Sequence, residues 1–129
     1  MHEKNKNALG KVSSQFHTNR LCQLMADHKG TVIVGNAAAY EDGNLTPSVI
    51  LNPAEDCALM GEETFGPILS VFHYKKLEEA IQLINSKPKP LAVYYFGNNS
   101  SKNENLNRLM RETSSGAFVV NELVKQIFN

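Results

Sequence analysis

The 129-residue chain lacks most of the features that assign a sequence quickly. Its two cysteines, Cys22 and Cys57, are too few for a disulfide framework and point to a reducing, cytoplasmic setting. It carries no net charge, since 13 Lys+Arg balance 13 Asp+Glu. Its lysines are scattered (Lys4, Lys6, Lys11, the pair Lys75-Lys76), which argues against a nucleic-acid or membrane-surface partner. No apolar run is long enough to span a bilayer. The polar start, Met1 to Asn7, has no hydrophobic segment behind it and does not read as a secretory signal. His2, His17, His28 and His73 are far apart and follow no ligand spacing, so no metal site is expected. Gly10, Gly30, Gly35 and Gly43 are isolated, so no glycine loop is set to cradle a phosphate. No serine stands in a nucleophile elbow.

What is present is an ordinary globular composition, 42% apolar and 20% charged, in a chain long enough for one domain with a core. Residues 1–10 are polar and expected to be disordered. Leu21, Leu24 and Met25 fall at helical spacing, with Thr18 as the expected N-cap and Lys29-Gly30 as the stop. Thr31 to Val34 and Ser48 to Leu51 read as short strands, with an Asp42-Gly43 turn between them. Ile68 to Tyr74 and Leu91 to Phe96 read as buried strands. A helix is expected from about Lys76 to Ser86, with Glu78 and Glu79 favourably placed in its first turn. Another spans Ser101 to Glu112, with Leu106, Leu109 and Met110 on one face, before a last strand at Ala117 to Val120. Strand, helix, strand, helix, strand over residues 68–120 implies an α/β fold with a layered, mostly parallel sheet and β–α–β crossovers.

The richest stretch chemically is Glu62-Glu63-Thr64-Phe65-Gly66-Pro67. Gly66 and Pro67 break any helix and place two carboxylates and a phenyl ring on a turn ahead of a strand. A carboxylate there can accept hydrogen bonds from ligand hydroxyls, and a phenyl ring can pack against a flat heterocycle. The other reading of these six residues, and the one they favour taken alone, is a solvated acidic turn. Asn121 directly follows a strand, where α/β sheets place ligand-contacting groups, or else its side chain caps the loop. Cys22 falls on the amphipathic helix as a small packed thiol, and Cys57, six positions before Glu63, reads as a packed loop residue.

Three stretches together resemble the aldehyde dehydrogenase family. Met60 to Pro67 (Met-Gly-Glu-Glu-Thr-Phe-Gly-Pro) is similar to its Glu-Glu-Ile-Phe-Gly-Pro signature. Lys87 to Phe96 is similar to its Lys-Pro-Leu-Ala-Leu-Tyr strand, and Glu112 to Asn121 to its Glu-Thr-Ser-Ser-Gly segment ending in Asn-Asp. The wording is closest to the class 3, fatty-aldehyde-type branch. The resemblance runs from about Gly10 to Glu122, with weaker matches at Gly10-Lys11-Val12 and Arg20-Leu21. Thr64 stands for the usual isoleucine, Gly61 for a polar residue, Ser70 for a common proline and Glu122 for aspartate.

The resemblance implies that residues 11–129 form part of an aldehyde dehydrogenase catalytic domain. It implies NAD or NADP as cofactor, a small-molecule aldehyde as substrate and a homo-oligomer when intact. Glu63 matches the glutamate that accepts hydrogen bonds from the nicotinamide ribose, Phe65 the aromatic packed near the nicotinamide, and Asn121 an asparagine towards the substrate. The family's nucleophilic cysteine and general-base glutamate match no position of this chain; Cys22 falls after the nucleophile and does not inherit its role. The chain is therefore expected to be inactive alone. The alternative is a non-catalytic interaction module or pseudoenzyme fragment.

Overall fold

The computed structural model of the protein describes residues 14–35 and 45–124. The expected disorder of residues 1–10, the Gly10-Lys11-Val12 match and the Asp42-Gly43 turn lie outside these residues. The chain divides into two compact units, residues 1–73 and 74–129.

The first unit opens with helix α1 (Gln15–Ala26), which buries Thr18, Leu21, Leu24 and Met25. Its N-cap is Ser14, whose Oγ accepts a hydrogen bond from the His17 amide at 3.2 Å. The helix thus begins a turn before the expected cap at Thr18. That residue is 2% exposed, and its hydroxyl donates to the Ser14 carbonyl at 3.2 Å. The one apolar residue of the first turn, Phe16, is 81% exposed and off the apolar face, so periodicity does not reveal the turn. After the helix, the left-handed residue is Lys29, at φ 55°, and not Gly30. Gly30 is required for a different reason: a Cβ there would lie 2.7 Å from the Leu51 carbonyl oxygen and 2.8 Å from the Pro53 nitrogen.

Strand β1 (Thr31–Val34) pairs antiparallel with β2 (Ser48–Leu51), with a register shift between Val32 and Val34. β2 pairs in parallel with β3 (Ile68–Val71), matching Ser48 with Ile68 through Leu51 with Val71. Between them lies the four-residue helix α2 (Ala58–Gly61). Ile50 of β2, Leu59 of α2 and Leu21, Leu24 and Met25 of α1 form the core with Leu45 and Cys57. β3 is shorter and less buried than its apolar run suggests: Leu69 is 59% exposed, and the strand stops at Val71. Beyond it, the Asn52 side-chain oxygen takes the His73 amide at 2.9 Å, standing in for the next rung of the ladder.

The second unit contains α3 (Leu77–Asn85), β4 (Ala92–Tyr95), α4 (Glu104–Glu112) and β5 (Ala117–Val120). β4 and β5 are parallel, in register from Ala92 with Ala117 to Tyr95 with Val120, so β4–α4–β5 is a β–α–β unit. Asn103 caps α4 by accepting from the Asn105 amide at 3.1 Å and the Leu106 amide at 3.4 Å. The helix therefore starts at Glu104, not Ser101. It buries Leu106 and Leu109, whereas Met110 is 54% exposed. Arg108 joins the two helices: it makes a 2.7 Å ion pair with Glu78 of α3 and bonds both Glu112 oxygens at 2.9 and 3.1 Å.

The α/β class and the parallel pairings agree with the sequence. The described strands make a three-stranded sheet, β1-β2-β3, in the first unit and a two-stranded one, β4-β5, in the second. β4 is half-buried and not fully buried, with Leu91 84% and Phe96 59% exposed at its ends. No helix among the described residues is long and apolar enough to cross a membrane.

Candidate functional site

The acidic turn lies between α2 and β3, as its Gly-Pro break implies. Glu62 is the C-cap of α2, with extended backbone. Phe65 has φ 46°, a left-handed conformation that costs a non-glycine residue about 1–2 kcal/mol. Such a conformation persists only where surrounding contacts hold it. Pro67 then centres a tight three-residue turn, in which the Ile68 amide donates to the Gly66 carbonyl at 2.8 Å. The Pro67 carbonyl accepts from the Ser48 amide at 2.9 Å, so the turn runs directly into the β2–β3 ladder. Gly66 lies on the core: a Cβ there would come within 2.7 Å of both terminal carbons of fully buried Leu21.

The contacts that hold this turn come from one face of α1. Arg20 Nη1 pairs with the Glu62 carboxylate at 3.2 Å and donates to the Glu63 carbonyl at 3.3 Å. Arg20 Nη2 donates to the Thr64 carbonyl at 2.5 Å. His17 Nε2 meets the Phe65 carbonyl at 2.8 Å. Arg20 Nε donates to His17 Nδ1 at 3.3 Å. That bond makes Nδ1 the acceptor, so the ring proton sits on Nε2 and is donated to Phe65. Three consecutive carbonyls thus point towards α1.

The side chains are left facing outward. Glu63 is exposed, and its carboxylate has no hydrogen-bond partner among the described residues. The Phe65 ring is 76% exposed. The turn therefore presents a carboxylate acceptor and an apolar ring two positions apart in sequence, with its carbonyls already bonded. Such a surface can take vicinal hydroxyls and a flat heterocycle without breaking internal bonds.

Asn121 lies in the other unit. It follows β5 at φ 55°, a region asparagine tolerates better than most residues. Its Oδ1 accepts from the Gly97 amide at 2.8 Å, and its Nδ2 donates to the Gly97 carbonyl at 2.9 Å. The amide thus extends the β4–β5 pairing by one rung, which is the loop-capping arrangement. Cys57 is 5% exposed at the N-cap of α2, and Cys22 is half-buried against the same core. Among the described residues no group of three or more His, Cys, Asp or Glu side chains could hold a metal ion.

The sequence pointed to Glu63 and Phe65 directly. It gave no role to His17 or Arg20, which provide most of the support. Their i, i+3 spacing on a helix places them on one face, but nothing local says what that face meets.

Comparison with known proteins identifies the scaffold that carries this outward acidic-aromatic turn. The aldehyde dehydrogenase family matches residues 2–127. Aldehyde dehydrogenase family 3 member F1 of Arabidopsis thaliana is 35% identical over 126 residues, covering 95% of this chain and 25% of that protein. The substrate-bound AldH of Staphylococcus aureus superposes with a TM-score of 0.79 at 31% identity, over 93% of this chain and 26% of that one. A 1-pyrroline-5-carboxylate dehydrogenase from Thermus, solved with bound NAD, gives 0.74 at 27% identity, over 88% of this chain and 22% of that one. The chain belongs to the aldehyde dehydrogenase family, in its class 3 branch. It spans about a quarter of the length of the relatives it matches.

Proposed function

We propose that residues 11–129 are part of the catalytic domain of an NAD(P)-dependent aldehyde dehydrogenase, which oxidises an aldehyde to a carboxylic acid. In this reading Glu63 accepts hydrogen bonds from the nicotinamide ribose hydroxyls, and Phe65 packs near the nicotinamide. One observation carries it: the turn spends its carbonyls on α1 and leaves the Glu63 carboxylate and the Phe65 ring outward. Asn121 faces the substrate side in the same reading. Because its amide is bonded to Gly97, its contribution there is to shape the loop. The intact protein is read as a cytoplasmic homo-oligomer, in keeping with its family resemblance and its two unpaired cysteines.

The 129-residue chain by itself is expected to bind NAD weakly and to turn nothing over. Two groups on a turn contribute too little to offset the cost of immobilising a ligand beyond about millimolar affinity. Neither thiol is placed as a nucleophile, with Cys57 buried and Cys22 packed on α1. The test is an amide NMR titration with NAD and NADP, alongside an assay for NADH formation with a long-chain and an aromatic aldehyde. Shifts should be confined to residues around Glu63 to Gly66 and should vanish in Glu63→Gln. Absence of any response at the turn, or NADH formation that survives Cys22→Ala and Cys57→Ala together, would sink this reading.

A further inference from the structure

Arg20 and His17 touch the turn from behind, through bonds to its backbone, to the Glu62 carboxylate and to each other. Arg20 is anchored next to Leu21, which is fully buried in the core, so its guanidinium starts from a rigid point. Its side chain is only 22% exposed. One fork reaches the Glu62 carboxylate, the Glu63 carbonyl, the Thr64 carbonyl and the His17 ring. His17 is pinned between Arg20 and the Phe65 carbonyl, so its ring passes the order of the fork on to the left-handed residue.

We propose that Arg20, oriented by His17, is the positioning residue that fixes the turn with Glu63 and Phe65 turned outward. This rests on the coenzyme reading of that turn. A planar guanidinium can satisfy several oxygens in fixed directions at once, whereas a lysine ammonium supplies the same charge from a single point. The role therefore belongs to the shape of the fork and not to its charge. Attraction to Glu62 alone would keep the turn near α1 but would leave the Glu63 and Thr64 carbonyls free to rotate. The side chains that follow those peptide planes would then lose their common direction. The outward presentation of Glu63 is thus encoded 43 residues upstream of it.

The experiment compares the unchanged 129-residue chain with Arg20→Lys, His17→Ala and Glu62→Gln. It measures amide hydrogen exchange and the NAD-induced NMR shifts at the turn. In Arg20→Lys the Ile68 amide, which bonds the Gly66 carbonyl of the turn, should exchange about tenfold faster, while the core Ile50 amide keeps its protection. The NAD-induced shifts at Glu63 should fall in the same variant. His17→Ala, which frees the Phe65 carbonyl, should move both readouts in the same direction. Glu62→Gln, which keeps the fork, should leave both close to the unchanged chain. Unaltered turn exchange in Arg20→Lys overturns the proposal, as does an NAD response of that variant equal to the unchanged chain. If the unchanged chain shows no NAD response, the coenzyme reading fails, and the exchange comparison alone then decides whether the fork holds the turn.

Discussion

Gly61 and Gly66 bracket the same turn and make opposite demands. A Cβ at Gly61 meets nothing within 4 Å, and the residue is the last of α2, where alanine fits without strain. Gly61→Ala should stabilise the chain by about 0.4–1 kcal/mol, chiefly by restricting the unfolded chain. Gly66→Ala drives its methyl into Leu21, which has no room to retreat, and should cost about 1–3 kcal/mol. Urea denaturation of both variants measures the contrast; equal midpoints would mean that Gly66 does not depend on its packing against Leu21. Asn121→Ala should cost about 0.5–1.5 kcal/mol, because it removes two solvent-exposed hydrogen bonds to Gly97. The sequence made Glu63 and Phe65 legible because their chemistry is carried by a contiguous hexapeptide. It could not reveal the groups that hold them: His17 lies 48 positions before Phe65, and its contact exists only once α1 has docked. Asn121 was equally ambiguous, since a side chain that closes a loop and one that meets a ligand occupy the same place after a strand.

Helix ends were harder to read than helix interiors. Apolar spacing located α1, α3 and α4, but their starts were less legible. Ser14 caps α1 instead of Thr18, and α4, expected from Ser101, starts at Glu104 behind its cap Asn103. Several polar residues near each start could serve, and only the folded backbone chooses among them. Asn103→Ala removes two amide partners from α4 and should cost about 1 kcal/mol by thermal or urea unfolding. Strand identity was likewise local and legible, while strand partnership was not, because β-pairing is decided by distant segments. The pairing of β2 with β3 and of β4 with β5 shows only in the folded chain. The α3–α4 contact carries its own pH dependence. Hydrogen bonds from Arg108 hold the Glu78 and Glu112 carboxyls below their ordinary range. A carboxyl whose pKa is lowered by folding stabilises the fold above its unfolded pKa and loses that contribution as pH falls through its folded value. Stability should therefore decline below the normal carboxylate range, and Arg108→Met should flatten that decline. A pH–stability curve of the same shape in both proteins would remove Arg108 from the account.

The fold leaves much of its apolar surface in solvent. All four residues of β1 are exposed, with Val32 at 38%, Ile33 at 53% and Val34 at 41%, and Leu69 and Phe96 are each 59% exposed. Among the described residues β1 pairs with β2 alone, so its other side is an open edge of β-branched residues. An edge of that composition has unpaired backbone groups and apolar side chains that favour further strand pairing. The irregular register between Val32 and Val34 interrupts the edge only locally. The chain is therefore expected to self-associate as its concentration rises. Ile33→Lys puts a charge at the centre of the edge, where pairing with a second strand would desolvate it. As Ile33 is already more than half exposed, the change should alter folding stability by no more than about 0.5 kcal/mol. Light scattering coupled to size exclusion should show the unchanged chain growing in apparent mass with concentration and Ile33→Lys staying near the mass of one chain. If the variant associates just as strongly while a second one, Phe96→Lys, does not, the contact surface lies at the end of β4 and the β1 edge is not what draws the copies together.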